Sequence, residues 1–110
     1  MLMSGQDYRE SLRRYRPRVY VNGRQIESVA DEPLLAPGVN GVALTYDFAL
    51  REDVVTLMRA TRPDLASGQP VNRMIAIPAT TEDLLDKLEA VRLVCQETGC
   101  AQRYLGGDGL

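Results

Sequence analysis

Along the chain, apolar residues recur with a helical period in three stretches and alternate with polar ones in one. Tyr8, Leu12 and Tyr15 fall at i, i+4 and i+7, which predicts a short amphipathic helix over residues 5–15. Ser4, with Asp7 three residues on, has the cap-plus-acid spacing of a helix start, and Pro17 stops the helix. Residues 18–21 and 24–29 are β-prone runs joined by Asn22-Gly23. Both turn residues tolerate positive φ, so this stretch predicts a two-residue hairpin. Residues 31–37, with Pro33 and Pro37, read as a loop. The helical period then returns from Val39. Val42, Tyr46, Ala49 and Leu50 share one face, and Val54, Leu57 and Met58 another. A break is expected near Arg51-Glu52-Asp53, with Asp53 as a second cap, and Arg62-Pro63 closes the helical pair. Residues 63–72 read as a loop, and residues 72–78 as an extended apolar segment.

The longest periodic stretch covers residues 80–107, and the rest of the chain reads as packing around it. Thr80 is its N-cap, with Asp83 at capping-box spacing. Glu82 and Asp83 fill the first turn, where the helix dipole favours negative charge. Leu84, Leu88, Val91 and Cys95 form one apolar stripe, widened by Leu85 and Val94. Glu82, Asp86, Lys87, Glu89 and Arg92 are expected on the solvent side. Gly99 either ends this helix or is carried through it, and Gly106-Gly107 is a firmer stop. Together these elements predict a mainly α fold with a small β-hairpin, in a single domain spanning residues 1–110.

Composition narrows the function more than the fold. The chain is 45% hydrophobic and 25% charged, as folded domains are, and its net charge of −2 carries no electrostatic footprint for nucleic acid. Arg9, Arg13, Arg14, Arg16 and Arg18 cluster locally; they read as a solvated rim, with phosphate binding as the alternative. No apolar run has the length of a membrane span and no signal-like segment leads the sequence, so a cytoplasmic location is expected. The chain has no histidine, which excludes within it His-based acid–base catalysis, Ser-His-Asp triads and His metal sites. It contains neither a P-loop nor GxGxxG. On a continuous helix Cys95 and Cys100 would lie about 140° apart and about 7.5 Å along the axis. That geometry does not suit a disulfide, and the spacing is not CxxC.

Several short motifs, spread over nearly the whole chain, carry a family resemblance. They are Leu2-Met3-Ser4-Gly5-x-x-Tyr8-x-x-Ser11-Leu12, Val19-Tyr20-Val21-Asn22-Gly23, Asp31-x-Pro33, Leu44-Thr45-Tyr46, Asn72-Arg73, Thr81-Glu82-Asp83-Leu84 and Gly99-Cys100-x-Gln102-Arg103-x-x-Gly106-x-Asp108. Together they resemble the N-terminal region of the 4-hydroxyphenylacetate 3-hydroxylase family, which includes reduced-flavin-dependent aromatic hydroxylases and 4-hydroxybutyryl-CoA dehydratase. The resemblance implies an acyl-CoA-dehydrogenase-like flavoenzyme with a helical N-terminal domain, a β domain and a C-terminal helical bundle that drives homo-oligomerisation. This chain would be the first of those parts and inactive alone. The implied cofactor is FAD, held mostly by later segments and supplied reduced by a flavin reductase. The other implied partner is the remainder of the flavoenzyme or a separate chain carrying it.

The resemblance also assigns site residues. Arg103 matches an arginine that positions substrate in the hydroxylase branch; the tyrosine that follows it there falls on Gly107, and Tyr104 is the candidate for a similar role. In the dehydratase branch the closing motif gives two cysteines, four residues apart, to a [4Fe–4S] cluster. Cys100 matches the first and Tyr104 stands at the second, and a phenol is a poor substitute for a thiolate there. The implied function is therefore the oxygenase component of a phenol-type monooxygenase. A dehydratase/isomerase acting on a CoA thioester, and a non-catalytic helical module, remain the alternatives. Asn72-Arg73 is expected to stabilise its loop, and Cys95 to be core.

Overall fold

The structure, a computed structural model, describes residues 2–61 and 68–99. Helix α1 (Gly5–Tyr15) starts where its cap residues dictate. The Ser4 hydroxyl accepts from the Asp7 N–H at 3.1 Å, and the Asp7 carboxylate accepts from the Ser4 N–H at 2.9 Å. These bonds satisfy two donors that a helix start would otherwise leave open, and they hold the Asp7 carboxyl below its ordinary pKa. Arg16, at φ 45°, turns the chain out of α1 and donates its N–H to Leu12 O. Strands β1 (Val19–Val21) and β2 (Arg24–Ile26) pair antiparallel with Val21 opposite Arg24. Asn22 at φ 52° and Gly23 at φ 77° make the tight turn, as their residue types predict. Only Ile26 of the hairpin is buried. The loop behind it is tied to α1 by a two-point contact from Arg13 to Asp31, at 2.7 and 3.1 Å.

Helix α2 (Ala36–Phe48) begins earlier than the sequence pattern indicates, because Pro37 sits in its first turn, where a missing N–H costs nothing. It runs antiparallel to α1: Gly5 meets Asp47 and Ala43, Tyr8 stacks on Tyr46 with ring centroids 5.3 Å apart, and Arg9 reaches Asn40 at 2.9 Å. The expected face of Val42, Tyr46, Ala49 and Leu50 is only partly right. Val39, Ala43, Thr45, Phe48 and Ala49 are buried, whereas Leu50 is exposed, because α2 is sandwiched between α1 and the later elements of the chain.

Beyond α2 the expected second helix shrinks to α3 (Val55–Met58), and its N-cap is Val54, with no side-chain bond. Asp53 is not the cap; its carboxylate is engaged by Arg51 at 2.6 and 3.0 Å. At the edges of the expected loop, strand β3 (Arg59–Thr61) pairs antiparallel with β4 (Pro70–Asn72), and Arg73–Ile75 forms a 3-10 turn. Helix α4 (Thr81–Thr98) has Thr80 as N-cap, accepting from Asp83 N–H at 3.0 Å. Asp83 returns the bond one residue upstream, accepting from Ala79 N–H at 3.2 Å. Gly99, at φ 64°, caps the helix and donates to Cys95 O, so of the two stops expected Gly99 is the one that ends α4.

Phe48, Ala49, Met58, Met74, Ala90 and Val94 form the core. Here α4 departs in part from the expected stripe. Val94 is in the core and Val91 packs against it, as the stripe predicts, but Leu84, Leu85 and Leu88 are exposed, and Lys87, expected on the solvent side, is buried with Ala90. Small Ala90 lets α4 approach the core closely, and the lysine stem packs as an apolar rod with its head on a carbonyl.

Candidate functional site

The residues that the sequence singles out for substrate, Arg103 and Tyr104, and the cluster-ligand match Cys100, lie outside the described residues. What the structure defines is the frame leading to them, the C-terminal half of α4 and its supports. Val94 is fully buried in the core, and Thr98 Oγ1 donates to Val94 O at 2.9 Å in the last turn. The nearby corner after α2 is braced: the Arg51 guanidinium lies 4.7 Å from the Phe48 ring centroid and pairs with Asp53. Glu97 adds to the field that stabilises the Arg51 charge. Cys95 is a half-buried free thiol beside this core.

The other end of α4 is held by buried cations that no local sequence signal places inside. Arg73, 7% exposed, donates from Nε to Leu57 O at 2.5 Å and from Nη2 to Arg59 O at 2.8 Å. Asp86 stands 3.7 Å from the same guanidinium. Arg59 in turn donates to Ala49 O at 2.7 Å, which satisfies an orphan carbonyl at the end of α2. Lys87 donates to Ala76 O at 3.1 Å, and burial pushes its ammonium pKa down. Asn72 is fully buried; it accepts from Met74 N–H at 3.0 Å and donates to Thr45 Oγ1 at 2.9 Å. Asn72 and Arg73 are thus structural, as expected, and clamp both the second hairpin and the turn to α2 and α3.

Lys87 and Arg73 border a cavity of about 10 Å³, together with Asp83, Thr61 and Ile77. That is room for about one water. Asp86 answers the Arg73 charge, and the Lys87 ammonium is held by the Ala76 carbonyl. The larger openings are surface grooves. One of about 470 Å³ runs along Arg16, Arg18, Gln25 and Glu27; another of about 430 Å³ runs along Arg13, Arg16, Glu27 and Asp31. The arginine cluster behaves as the expected rim. Arg9 is bound to Asn40, Arg13 to Asp31 and Glu10, and Arg14 lies 5.1 Å from the Tyr15 ring. Arg13 and Ser28 hold the Asp31 carboxyl at a pKa of about 2.

No described groove has the enclosing apolar walls of a flavin pocket. The described residues alone do not fit that cofactor. Among them there is also no group of three or more carboxylates or thiols placed to hold a metal ion. No helix among the described residues is long and apolar enough to cross a membrane.

Residues 4–110 match the family described as the N-terminal region of 4-hydroxyphenylacetate 3-hydroxylase. The chain belongs to this family. Over 109 residues it is 39% identical to the 4-hydroxybutyryl-CoA dehydratase/vinylacetyl-CoA-Δ-isomerase of Clostridium aminobutyricum, a match that covers 98% of this chain and 22% of the relative. An oxygen-tolerant archaeal 4-hydroxybutyryl-CoA dehydratase from N. maritimus superposes with a TM-score of 0.77 at 39% identity, over 94% of this chain and 20% of that one. The HpaB oxygenase component of 4-hydroxyphenylacetate 3-monooxygenase, solved with FAD and 4-hydroxyphenylacetate, superposes at 0.68 and 22% identity, over 86% of this chain and 19% of that one. The HpaB-type N-terminal domain described above is thus mainly helical, as the sequence predicts, and matches acyl-CoA-dehydrogenase-like flavoenzymes. It spans about a fifth of the relatives' length. Its family motifs acquire structural roles: Ser4 caps α1, Gly5 and Tyr8 lock α1 to α2 through Asp47 and Tyr46, and Asn72-Arg73, with Thr45, lock the second hairpin.

Proposed function

We propose that this chain is the leading domain of a flavin-dependent enzyme and helps to orient an aromatic or acyl substrate at a flavin bound mainly by other parts of the family fold. The observation that carries this reading is the family match over residues 4–110. In the first reading the enzyme is the oxygenase component of a phenol-type monooxygenase, cytoplasmic and homo-oligomeric, with reduced FAD supplied by a separate reductase. Arg103 offers a planar fork of donors to a carboxylate or phenolate, and Tyr104 supplies a phenol beside it. This reading is favoured by Tyr104 itself, which stands where the dehydratase pattern has its second cysteine.

A second reading, a dehydratase/isomerase of a CoA thioester, is favoured by the 39% identity to the clostridial dehydratase over nearly the whole chain. The two differ in inorganic content. The native gene product, purified anaerobically from its own cells, is expected to contain flavin but no stoichiometric iron or acid-labile sulfide. It is also expected to consume oxygen with photoreduced FAD and a 4-hydroxyphenyl substrate. Stoichiometric iron–sulfide with a brown absorbance would transfer the assignment to the second reading. An intact mass of 12.2 kDa with no flavin would sink both as activities of this chain alone.

A further inference from the structure

Helix α4 is inside out relative to its own domain. It buries the chain's sole lysine with Ala90 and Val94, and it leaves Leu84, Leu85 and Leu88 exposed by 40, 58 and 49%. At about 100° per residue, Leu85 points roughly 160° away from Lys87, so no rotation of the helix could bring both into the core. Ile77, 83% exposed, lies on the other side of α4, beside Asp83 and Lys87, and is not part of this face. A helix that was only the edge of a free-standing domain would carry polar residues here. An apolar strip beyond the core is the mark of a second body.

We infer that the Leu84–Leu85–Leu88 face of α4 is the docking surface for the portion of the family fold outside these 110 residues, which presents an apolar surface to it. The inference rests on the flavoenzyme reading above and names the contact through which this domain joins the rest. Two observations select this occupant. The relatives that match nearly all of this chain are about five times its length, so the family fold offers a much larger body for this face to meet. The strip is also small. Three half-exposed leucines offer roughly a few hundred Å² at most, well short of the about 800 Å² per partner of a self-standing dimer. A body held by the same polypeptide needs less area, because the tether supplies a high effective concentration.

The test is thiol labelling of the native gene product carrying Leu85→Cys, and separately Leu88→Cys, with the unsubstituted protein giving the background from Cys95 and Cys100. Maleimide labelling at both positions is expected to be at least tenfold slower in the native protein than in the same protein unfolded in guanidinium. Leu34→Cys, exposed by 61% on another element, calibrates a free surface site. Labelling of both α4 positions within about threefold of the unfolded rate would overturn the inference. Protection that vanishes on dilution, in step with dissociation of a dimer, would assign the face to a second copy and overturn it equally. Protected thiols in a protein without flavin would leave the docking surface standing and remove the flavoenzyme reading. Bound flavin with unprotected thiols would do the reverse.

Discussion

A methyl group on Gly5 would stand 2.6 Å from Asp47 Oδ2 and 2.8 Å from Ala43 O, and the second of these is helix backbone that cannot swing aside. The Gly5 N–H also donates to Asp47 Oδ1 at 2.7 Å, so the close approach of α1 to α2 is itself hydrogen-bonded. Gly5→Ala is therefore expected to destabilise the protein by about 1–3 kcal/mol in urea denaturation. Gly38 is the matched control, because a methyl there would meet nothing within 4 Å and its φ is not positive. Gly38→Ala is expected to be neutral or stabilising by up to about 1 kcal/mol, through the unfolded state. Equal effects of the two substitutions would remove the close-approach argument. Lys87 makes a second prediction. Its pKa is lowered by burial, so over the interval between that value and 10.5 the unfolded chain binds more protons than the folded one. Stability from this group must then rise with pH across that window. The unfolding free energy of the native protein, relative to Lys87→Met, is expected to grow as pH is raised toward 10.5. A flat difference would mean that the ammonium is well solvated.

Elements are legible where local chemistry decides them. The capping box of Ser4 and Asp7 and the stop after Tyr15 locate α1, and Asn22-Gly23 locates the first hairpin. Thr80 likewise locates the start of α4. The second hairpin is not legible, because its strands are three residues long and one begins with proline, which leaves no alternating run to read. It exists because long-range bonds hold it. Asn72 reaches Thr45 across 27 residues, and Arg73 reaches Leu57 O across 16. The core-facing side of α4 escapes the sequence pattern for a related reason. Periodicity identifies an apolar stripe but not the body that covers it, and the leucine stripe does not face the core of this domain. Arg103 and Tyr104, expected at the substrate from family resemblance, lie outside the described residues, and the structure describes the chain only up to Gly99 before them. If the clamp at Asn72 is what makes the second hairpin, Asn72→Ala should cost about 2–4 kcal/mol, because it leaves the buried Met74 N–H without an acceptor and frees Thr45. Thr45→Val, which spares the Met74 bond, should cost less, about 1 kcal/mol. Chemical denaturation of the two single variants and the double variant would expose the shared part as non-additivity. Strict additivity would mean that the two residues do not act through one bond.

For the molecule as a whole, the described residues form a packed platform, and in the reading proposed above the chemistry belongs to other segments of the family fold. Lys87 pins the start of α4 to Ala76, Val94 seats its later turns in the core, and Gly99 ends it with a left-handed cap. The end of α4 at Gly99 is thereby fixed by packing. If Arg103 holds a substrate carboxylate through two parallel bonds, a lysine in its place keeps the charge but loses the fork. In the native gene product Arg103→Lys is then expected to raise KM for a carboxylate-bearing phenol by about 10–100-fold while leaving kcat within a few-fold, because the lost contact is made in ground state and transition state alike. Arg103→Met should go further in the same direction, since it removes the charge as well. A fall in kcat with KM unchanged would place Arg103 on an interaction made only in the transition state. No change in either constant would leave the guanidinium to satisfy backbone carbonyls, and the substrate contacts would have to be sought in the other four-fifths of the family fold.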